Sequence, residues 1–308
     1  MSTSAGGGPV RFRVLLSTYN GARFLRDQIE SVLTQGGVQV ALHVRDDGST
    51  DATRGLLAEL ASRDGRVTFE IGQHRGPALS YLTMLSNTSP DTDFVALCDQ
   101  DDVWIDGKLA RSARWLSRVQ GPAMYCSAVE VVDDTLQPIG MHRTCRRGPA
   151  LENALVQNIA TGCTIVVNRS ALSLFRVVPE HAVMHDWWIY AALTATGIVR
   201  YDPTPWVLYR QHESNSIGLA GSHLSQWARR LRQQAGTGNE RSRTRQAQEL
   251  LDLLGPTMPP LARSTLSRFV RSQSSLGPRV MYALTGPAFR QRRIDSVVFR
   301  VLYAMGRT

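Results

Sequence analysis

The stretch Phe94-Val95-Ala96-Leu97-Cys98-Asp99-Gln100-Asp101-Asp102-Val103-Trp104 places three carboxylates within four residues, directly after an apolar run. A short apolar run that ends abruptly in acids is typical of a buried strand stopping at the edge of a sheet. Carboxylates this close repel one another, and a hard divalent cation is the usual compensation. An isolated Asp-x-Asp is more often a solvated acidic turn. Because this motif is longer and follows a buried strand, we favour a cation site.

Strands and helices alternate on the amino-terminal side of this stretch. Apolar periodicity predicts strands at 10–17, 38–44, 66–71 and 94–98, with helices between them at 24–33, 52–62 and 77–87. Alternation at these lengths predicts a mostly parallel sheet with helices on both faces. Such sheets bind ligands beyond the carboxyl ends of their strands, where the polar motifs of this chain fall.

The remainder of the chain is less regular. We predict a helix at 107–119, a strand at 123–132, a polar loop at 133–158, a strand at 164–168, a helix near 185–196 and two short strands around 198–209. Arg-rich helices are predicted at 223–235, 241–254, 261–273 and 288–306. The predicted organisation is a flexible leader (1–9), an α/β domain (10–221) and a basic helical region (222–308).

The positive charge is concentrated at the carboxyl end. The chain of 308 residues has a formal net charge of +9. Residues 222–308 hold 15 arginines and four acidic residues, whereas residues 1–221 hold 20 basic and 22 acidic residues. A nucleic-acid-coating protein would carry its basic surface through the folded body, so this class is disfavoured.

The four cysteines are Cys98, Cys126, Cys145 and Cys163, and none forms a Cys-x-x-Cys pair. This spacing disfavours structural zinc, and the low density disfavours a disulfide framework. No secretory apolar region is visible near the amino terminus, and no run of about 18 apolar residues would span a membrane. We therefore expect a cytoplasmic protein.

Two more polar motifs follow predicted strands. Asp46-Asp47-Gly48-Ser49-Thr50-Asp51 reads as a strand-to-helix turn with an N-cap. A carboxylate held there could also accept the imide N–H of a pyrimidine. Ser17-Thr18-Tyr19-Asn20 ends the first strand, where backbone groups and the Tyr19 ring could face the same base.

In this order and at these spacings, residues 17–21, 46–51 and 99–104 resemble a family 2 glycosyltransferase of the GT-A fold. The form Asp-Gln-Asp-Asp-Val-Trp is similar to bacterial rhamnosyltransferases that build surface polysaccharides. Three further stretches match: Thr161-Gly162-Cys163-Thr164, His185-Asp186-Trp187-Trp188 and residues 209–216. The resemblance covers about residues 10–218 and implies a Rossmann-like, mostly parallel sheet flanked by helices.

The resemblance also implies roles for individual residues. It assigns the nucleotide to Thr18, Tyr19, Asn20, Asp46, Asp47, Arg75 and Asp99. It assigns Mn²⁺ or Mg²⁺ to Asp99 and Asp101, with His212 as a third ligand or a diphosphate contact. It places Trp104, Thr161, Gly162, Trp187 and Arg210 around the donor and the acceptor, with Arg210 favouring the diphosphate. The chain departs from its relatives at His74-Arg75-Gly76-Pro77, where Asn-x-Gly is frequent, and at Ser80, where Asn is common.

Asp186 stands where this family keeps the carboxylate that deprotonates the acceptor hydroxyl. An inverting transfer needs such a base within about 3 Å of the attacking oxygen. Taken alone, Asp186 is more often the cap of the apolar helix that follows it. In sequence with the other motifs, we favour the base.

The implied enzyme is an inverting, metal-dependent glycosyltransferase. Its donor would be a nucleotide-diphosphate sugar, dTDP-rhamnose first and a UDP-hexose as the alternative. Its acceptor would be a glycan or a lipid-linked glycan. Outside this class, the alternatives are a nucleotide-sugar-binding protein without turnover and a nucleic-acid binder acting through the basic tail. We expect no nucleic acid as partner.

The tail carries an apolar stripe at helical spacing. Its members are Phe289, Ile294, Val297, Val298, Val301, Leu302 and Met305, flanked by Arg290, Arg292, Arg293 and Arg300. A smaller stripe consists of Leu224, Trp227 and Leu231. An amphipathic, Arg-rich helix can lie on an anionic membrane surface. It can also pack its apolar face against the α/β body, and both alternatives stay open.

Overall fold

A sheet of nine strands organises the chain, which a computed structural model describes over residues 8–142, 145–212 and 239–306. The strands are β1 (Arg11–Thr18), β2 (Gln39–Asp46), β3 (Val67–Ile71), β4 (Phe94–Cys98), β5 (Val103–Trp104), β6 (Ala123–Val132), β7 (Pro138–His142), β8 (Val166–Asn168) and β9 (Ile198–Arg210). The helices are α1 (Leu25–Leu33), α2 (Thr53–Arg63), α3 (Pro77–Ser86), α4 (Lys108–Leu116), α5 (Leu151–Ala154), α6 (His185–Thr196), α7 (Asn239–Leu254), α8 (Pro260–Arg271), α9 (Leu276–Thr285) and α10 (Arg293–Ala304).

The strand order is β3-β2-β1-β4-β8-β6-β9-β5, with β7 paired to β6. Strands β3, β2, β1 and β4 are parallel, whereas β8 runs antiparallel to both β4 and β6. Thr18 pairs with Asp46, and Leu16 pairs with Cys98, so β1, β2 and β4 end at the same edge. The predicted α/β fold class is confirmed, and the three polar motifs meet at this edge.

The central strands are buried on both faces. In β1, Val14 and Leu16 pack with Ile29 of α1 on one face of the sheet, in the same core cluster as Cys98. Leu15 belongs to the core on the other face, with α3 and α6. All five residues of β4 are buried, which agrees with the continuous apolar run that ends in the acidic motif.

Several predicted boundaries were wrong. The two short strands around 198–209 form one strand, β9, whose pairing with β6 contains register shifts. Strand β7 and the short helix α5 lie within the predicted loop at 133–158. Helix α9 lies between two predicted helices and was not expected; its Pro278 stands in the first turn, where proline is tolerated. The helix predicted at 288–306 begins only at Arg293.

The carboxyl-terminal helices share a core with the sheet. Ala247, Leu250 and Leu254 of α7 belong to the same buried cluster as Trp188 of α6. The Glu249 carboxylate accepts hydrogen bonds from the backbone N–H groups of residues 180 and 181. The domain boundary predicted between 221 and 222, the helix at 223–235 and the smaller stripe lie outside the described residues. Among the described helices, none has the length and apolar character needed to cross a membrane.

Candidate active site

Gln100 joins the loop after β1 to the acidic loop after β4. Its Oε1 accepts hydrogen bonds from Thr18 Oγ1 (2.7 Å) and from the Tyr19 N–H (2.9 Å). Thr18 is buried, so its hydroxyl supports the acidic loop from the side of the core. The sequence motif contained Gln100, but its role was missed because its partners lie some eighty residues away in the chain.

Tyr19 is the accessible member of the first loop. Its side chain is 43% exposed, and its ring lies 4.4 Å from the His74 ring between centroids. Asn20 adopts a left-handed conformation with φ 50°, and its Oδ1 accepts a hydrogen bond from the Thr50 N–H at 2.8 Å. Asn20 therefore braces two loops, while Tyr19 offers a ring face beside them.

Asp46 and Asp47 are buried, and their oxygens bind protein donors. Asp46 accepts hydrogen bonds from the Ser49 N–H and from Arg54 Nε, each at 3.1 Å. Asp47 accepts hydrogen bonds from the backbone N–H groups of Arg75 (3.0 Å) and Gly76 (2.8 Å). Both carboxylates were expected to face a base, but in the structure their oxygens accept hydrogen bonds from protein donors. Buried carboxylates need such partners, and here neighbouring loops supply them.

The departures from the family pattern have a structural counterpart next to Asp47. Ser80, where relatives often have Asn, donates its hydroxyl to Asp47 at 2.9 Å. The Arg75 backbone supports the same carboxylate, while the Arg75 side chain is exposed at this edge of the sheet. Asp47 thus holds the loop at 74–77, and the Ser80 hydroxyl provides the hydrogen bond at a position where relatives often have an Asn amide.

The three carboxylates of the acidic loop have different surroundings. Asp99 lies 3.0 Å from the hydroxyl of Tyr81, which donates to it and to the Cys98 carbonyl. Asp101 Oδ2 lies 2.9 Å from His212 Nε2. Asp102 is fully buried and accepts a hydrogen bond from the Arg210 N–H at 3.2 Å. Asp99 and Asp101 are therefore the two carboxylates that reach the edge of the loop.

The pKa values of this loop show an excess of negative charge. Burial, and then repulsion by Asp101, raise the pKa of Asp99 and of Asp102 above its ordinary value. Ligand atoms of Asp99, Asp102 and Cys163 lie within 4.8 Å of one another. Burial raises the pKa of the Cys163 thiol, so the hard oxygen donors are the ones that suit Mg²⁺ or Mn²⁺. Asp99 and Asp102 thus lie close enough to share a cation, whereas Asp101, the second expected ligand, bonds His212.

Lys108 supplies a counter-charge that the sequence reasoning missed. Its ammonium is buried, lies 3.4 Å from the centre of the Trp104 ring and has no hydrogen-bond acceptor among the described residues. Burial lowers the pKa of Lys108 to about 8, and Asp102 and Asp99 act in the opposite direction. A signal existed in the sequence, since this residue is the single lysine among 35 basic residues.

Trp104 does not line an open pocket in this structure, contrary to the expectation. Its side chain is buried in the core, and its backbone N–H donates to Ser31 Oγ of α1 at 3.0 Å. The reason is that β5 pairs with β9, which draws the residue under the acidic loop. Trp104 therefore supports the loop and carries Lys108 on its ring face.

Arg210 also differs from its expected position against the diphosphate. The side chain is buried, and its guanidinium donates to the Asp101 carbonyl (3.0 Å), the Asp134 carbonyl (2.6 Å) and Asp27 Oδ2 (3.2 Å). It also lies over the Phe24 ring at 4.3 Å. A rigid fork of donors with several fixed acceptors acts as a brace for the loop.

Asp186 is the second residue of α6 and not its cap. The N-cap position is Met184, while Asp186 Oδ1 accepts a hydrogen bond from the Trp187 N–H at 2.7 Å. Burial raises the pKa of Asp186 to about 6, although hydrogen bonds from Trp187 and Asn158 act against the increase. A carboxylate with this pKa is suited to accept a proton near neutral pH.

The Thr161-Gly162-Cys163 turn packs against the start of α6. A Cβ on Gly162 would lie 2.8 Å from His185 Nε2 and 3.7 Å from the Asp186 Cβ, so the turn approaches closely only because residue 162 is glycine. Thr161 closes the turn through its carbonyl, which accepts a hydrogen bond from the Thr164 N–H at 2.9 Å. Trp187, on the other side, donates its ring N–H to the Ala154 carbonyl.

Two residues that the sequence reasoning left without a role connect Asp186 to the acidic loop. The rings of His185 and Tyr81 stack with centroids 4.2 Å apart. Burial lowers the pKa of His185 to about 3, so its imidazole is neutral. The Tyr81 hydroxyl in turn bonds Asp99. The expected base and the expected cation site are thus neighbours across one ring stack.

Comparison with known proteins identifies the family of the chain. Residues 13–175 match the family model "Glycosyl transferase family 2". The dTDP-rhamnosyl transferase RfbG of Shigella flexneri is 24% identical over 228 residues, covering 70% of this chain and 77% of RfbG. The Escherichia coli enzyme WfgD, a UDP-Glc:α-D-GlcNAc-diphosphoundecaprenol β-1,3-glucosyltransferase, is 26% identical over 178 residues, covering 57% of this chain and 67% of WfgD.

Among solved structures, TarS of S. aureus in complex with UDP-GlcNAc superimposes with a TM-score of 0.61 at 16% identity. The match covers 97% of this chain and 87% of that chain, and it shows a common fold. The family model spans more than half of the sequence, including the loops after β1, β2 and β4 and the turn at 161–163. On this sequence and fold evidence, the chain belongs to glycosyl transferase family 2 and is a glycosyltransferase.

Proposed function

We propose that the chain is an inverting, metal-dependent glycosyltransferase that moves L-rhamnose from dTDP-rhamnose to a hydroxyl of a glycan or lipid-linked acceptor in polysaccharide synthesis. The observation that carries the proposal is the pairing of Asp186, whose pKa is raised to about 6, with the acidic loop across the His185–Tyr81 stack. The similarity to a dTDP-rhamnosyl transferase supports the donor.

The proposed reaction is a single displacement. Asp186 accepts the proton of the acceptor hydroxyl while the acceptor oxygen forms a bond to the anomeric carbon of the sugar. The bond between that carbon and the diphosphate oxygen breaks, and the nucleoside diphosphate leaves from the opposite face. Attack on one face and departure from the other invert the anomeric configuration.

The donor would lie along the edge formed by the loops after β1, β2 and β4. The exposed ring of Tyr19 would stack on the base, and the exposed Arg75 side chain would contact the ribose or the diphosphate. A divalent cation, when bound by Asp99 and Asp101, would neutralise charge on the diphosphate. Gln100 and Arg210 keep these loops in register through the hydrogen bonds described above.

A UDP-hexose is the second candidate donor. Two proteins similar to this chain support it, since WfgD acts with UDP-Glc and TarS was solved with UDP-GlcNAc. Both candidates are pyrimidine nucleotides and would use the same base contacts. They differ in the sugar, which would contact the turn at 161–163 and Trp187.

We also propose peripheral contact of the carboxyl-terminal region with an anionic membrane. In α10 the aromatic residues Phe299 and Tyr303 are buried, whereas Ile294 is 63% and Val301 55% exposed. Helix α9 runs antiparallel beside it, since Arg300 donates to the Leu284 carbonyl and Gly306 lies against Arg279. Its exposed large apolar residues are Leu276, Val280, Met281 and Leu284. Both neighbouring helices thus carry an exposed apolar stripe, and both contain arginines, a composition typical of interfacial helices.

Donor binding and transfer can be tested separately. The full chain is incubated with dTDP-rhamnose, UDP-Glc or UDP-GlcNAc, with and without Mn²⁺. Thermal stability, release of the nucleoside diphosphate and transfer of the sugar to a lipid-linked acceptor are measured. Stabilisation by dTDP-rhamnose in Mn²⁺ together with formation of a rhamnosylated product supports the proposal. If only a UDP-sugar stabilises the chain and gives a product, the donor is a UDP-hexose and not dTDP-rhamnose. If no donor gives a product, the proposed transfer is contradicted.

A further inference from the structure

Four arginines surround a cleft that the reaction described above does not use. Arg146 and Arg147 follow β7, and Arg292 and Arg293 begin α10; together with Gln291 they line a cavity of about 450 Å³. All four side chains are exposed. Within the described part of the chain, none of the four forms an ion pair with a carboxylate, although Glu152 and Asp295 lie on the adjoining helices.

The cleft is built by a buried residue. Gln291 is 3% exposed, and its Oε1 accepts hydrogen bonds from the backbone N–H groups of Arg146 (2.8 Å) and Arg147 (2.6 Å). Its Nε2 donates to the Gly148 carbonyl at 3.1 Å. Gln291 therefore fixes the two arginine-bearing segments against each other, even though they are far apart in sequence.

The positive charge of the cleft favours an anionic ligand. Four arginines line the cleft, one of them with its guanidinium 3.9 Å from the centre of the Phe289 ring, and their like charges repel one another. Guanidinium groups bind phosphate oxygens in a bidentate manner, and the first turn of α10 adds N–H groups that favour negative charge. A carboxylate would bring one negative charge, whereas a diphosphate brings more and has enough oxygens for several arginines.

The position of the cleft connects it to the acceptor side of the site. The Gln291 N–H donates to Gln157 Oε1 at 2.8 Å, and the next residue, Asn158, hydrogen-bonds Asp186. On the other side, the exposed apolar stripe of α10 begins at Ile294, directly after the arginines. The cleft is thus linked through residues 157–158 to the proposed base, and it adjoins the start of the exposed α10 stripe.

We propose that this cleft binds the diphosphate group of a lipid-linked acceptor, which deepens and rests on the proposed function. The lipid chain would lie along the α9–α10 stripes, and the glycan would extend past residues 157–158 towards Asp186. The ligand chemistry is a diphosphate ester of a membrane lipid. A phospholipid headgroup and free diphosphate share part of this chemistry and are separated in the test.

The test measures binding of the full chain to phosphatidylcholine vesicles that contain a long-chain prenyl diphosphate, in EDTA and without donor. The comparison vesicles contain phosphatidylglycerol at equal charge, and inorganic diphosphate serves as competitor. The variant is Arg292→Gln/Arg293→Gln, and the matched control, Arg114→Gln/Arg118→Gln, removes two exposed arginines from α4 and its carboxyl end. Unchanged thermal midpoints of both variants verify the fold.

We expect preferential binding to prenyl diphosphate vesicles, a loss of about 30-fold in the variant and no more than a twofold change in the control. Inorganic diphosphate should compete with the vesicles. Equal binding to phosphatidylglycerol would overturn the diphosphate assignment in favour of a phospholipid headgroup. Equal losses of vesicle binding in the variant and the control would overturn the proposal that the cleft binds diphosphate. Failure of inorganic diphosphate to compete would overturn it as well.

The transfer assay separates the two proposals. With a lipid-linked diphosphate acceptor, the variant should raise the KM for the acceptor and leave kcat and the KM for the donor unchanged. Absence of transfer with intact diphosphate binding contradicts the proposed function and leaves the cleft standing. Transfer with an unchanged acceptor KM in the variant contradicts the cleft alone.

Discussion

Tyr81 of α3 and His185 of α6 stack with ring centroids 4.2 Å apart, and this contact joins the two halves of the candidate active site. The Tyr81 hydroxyl reaches Asp99 in the acidic loop, and His185 precedes Asp186. The stack therefore sets the separation between the proposed base and the carboxylates proposed to hold the cation. Each element of this arrangement can be perturbed separately.

Replacing Asp186 should abolish transfer without weakening the donor complex. The Asp186→Asn side chain retains the shape but cannot accept a proton, and loss of general base catalysis typically costs about 10²–10⁴-fold in rate. We expect kcat to fall by this range while the dTDP-rhamnose affinity stays within twofold. The exposed Asp91→Asn is the control. Robust transfer by Asp186→Asn would remove the proposed base.

The pH profile should report the protonation of Asp186. Because the pKa of Asp186 is raised to about 6, the carboxylate is protonated below that pH and ionised above it. A base acts in its ionised form, so kcat should rise with pH through about 6 and then level off. The residual rate of Asp186→Asn should lack this inflection. A wild-type rate that is flat from pH 5 to 7.5 would contradict the assignment.

Adding one methyl group at Gly162 should misplace the base. A Cβ there would lie 2.8 Å from His185 Nε2, so in Gly162→Ala the His185 ring must move, and we expect Asp186 beside it to move with it. Misplacement of about 1 Å can cost about 100-fold in rate. We expect a loss of this size in kcat with unchanged donor binding. Gly55→Ala, where a Cβ meets nothing within 4 Å, should retain full activity.

The ring and the hydroxyl of Tyr81 should contribute differently. Tyr81→Phe keeps the stack on His185 and removes the donor to Asp99, so we expect weaker Mn²⁺-dependent donor binding and a loss of about 1 kcal/mol in unfolding free energy. Tyr81→Ala also removes the buried ring and should cost about 3–5 kcal/mol. Urea unfolding and donor titration measure both. Identical donor binding by wild type and Tyr81→Phe would exclude a role for the hydroxyl.

Lys108 should contribute to the free energy of unfolding through its interaction with Asp102. Lys108→Met removes a buried ammonium on which the charge of Asp102 acts, although the two form no ion pair among the described residues, and we expect the free energy of unfolding to fall. In Lys108→Met/Asp102→Asn both charges are absent, so most of the unfolding free energy should return. A double-mutant cycle with strictly additive losses would show that the two residues do not interact.

The family motifs could be recognised in the sequence because each of them is a short, local pattern. The apolar run at 94–98, its acidic end and the strand–helix alternation before it predicted the parallel half of the sheet and the edge where its loops meet. The apolar stripe of the tail was also read from spacing alone, and Ile294 and Val301 are exposed as one face of α10. Periodicity reports which residues share a face, because side-chain direction follows from the local backbone.

Residues whose partners are distant were harder to interpret. Trp104 and Arg210 were expected at the ligand, yet pairing of β5 with β9 places both beneath the acidic loop. Asp47 was expected at the base, yet the turn at 75–76 occupies its oxygens. No spacing in the sequence distinguishes a polar side chain that meets a ligand from one that meets another loop.

By itself, the sequence determined the α/β fold class, the family and the set of polar motifs at the carboxyl edge of the sheet, because these depend on local hydrophobic periodicity and on short ordered motifs. Only the tertiary structure decided which of those polar groups are already satisfied by the protein and which face outward. It also brought Lys108 under the carboxylates and assembled the four-arginine cleft. Charge interaction and hydrogen bonding depend on distance in space, and residues more than a hundred positions apart become neighbours only when the chain has folded.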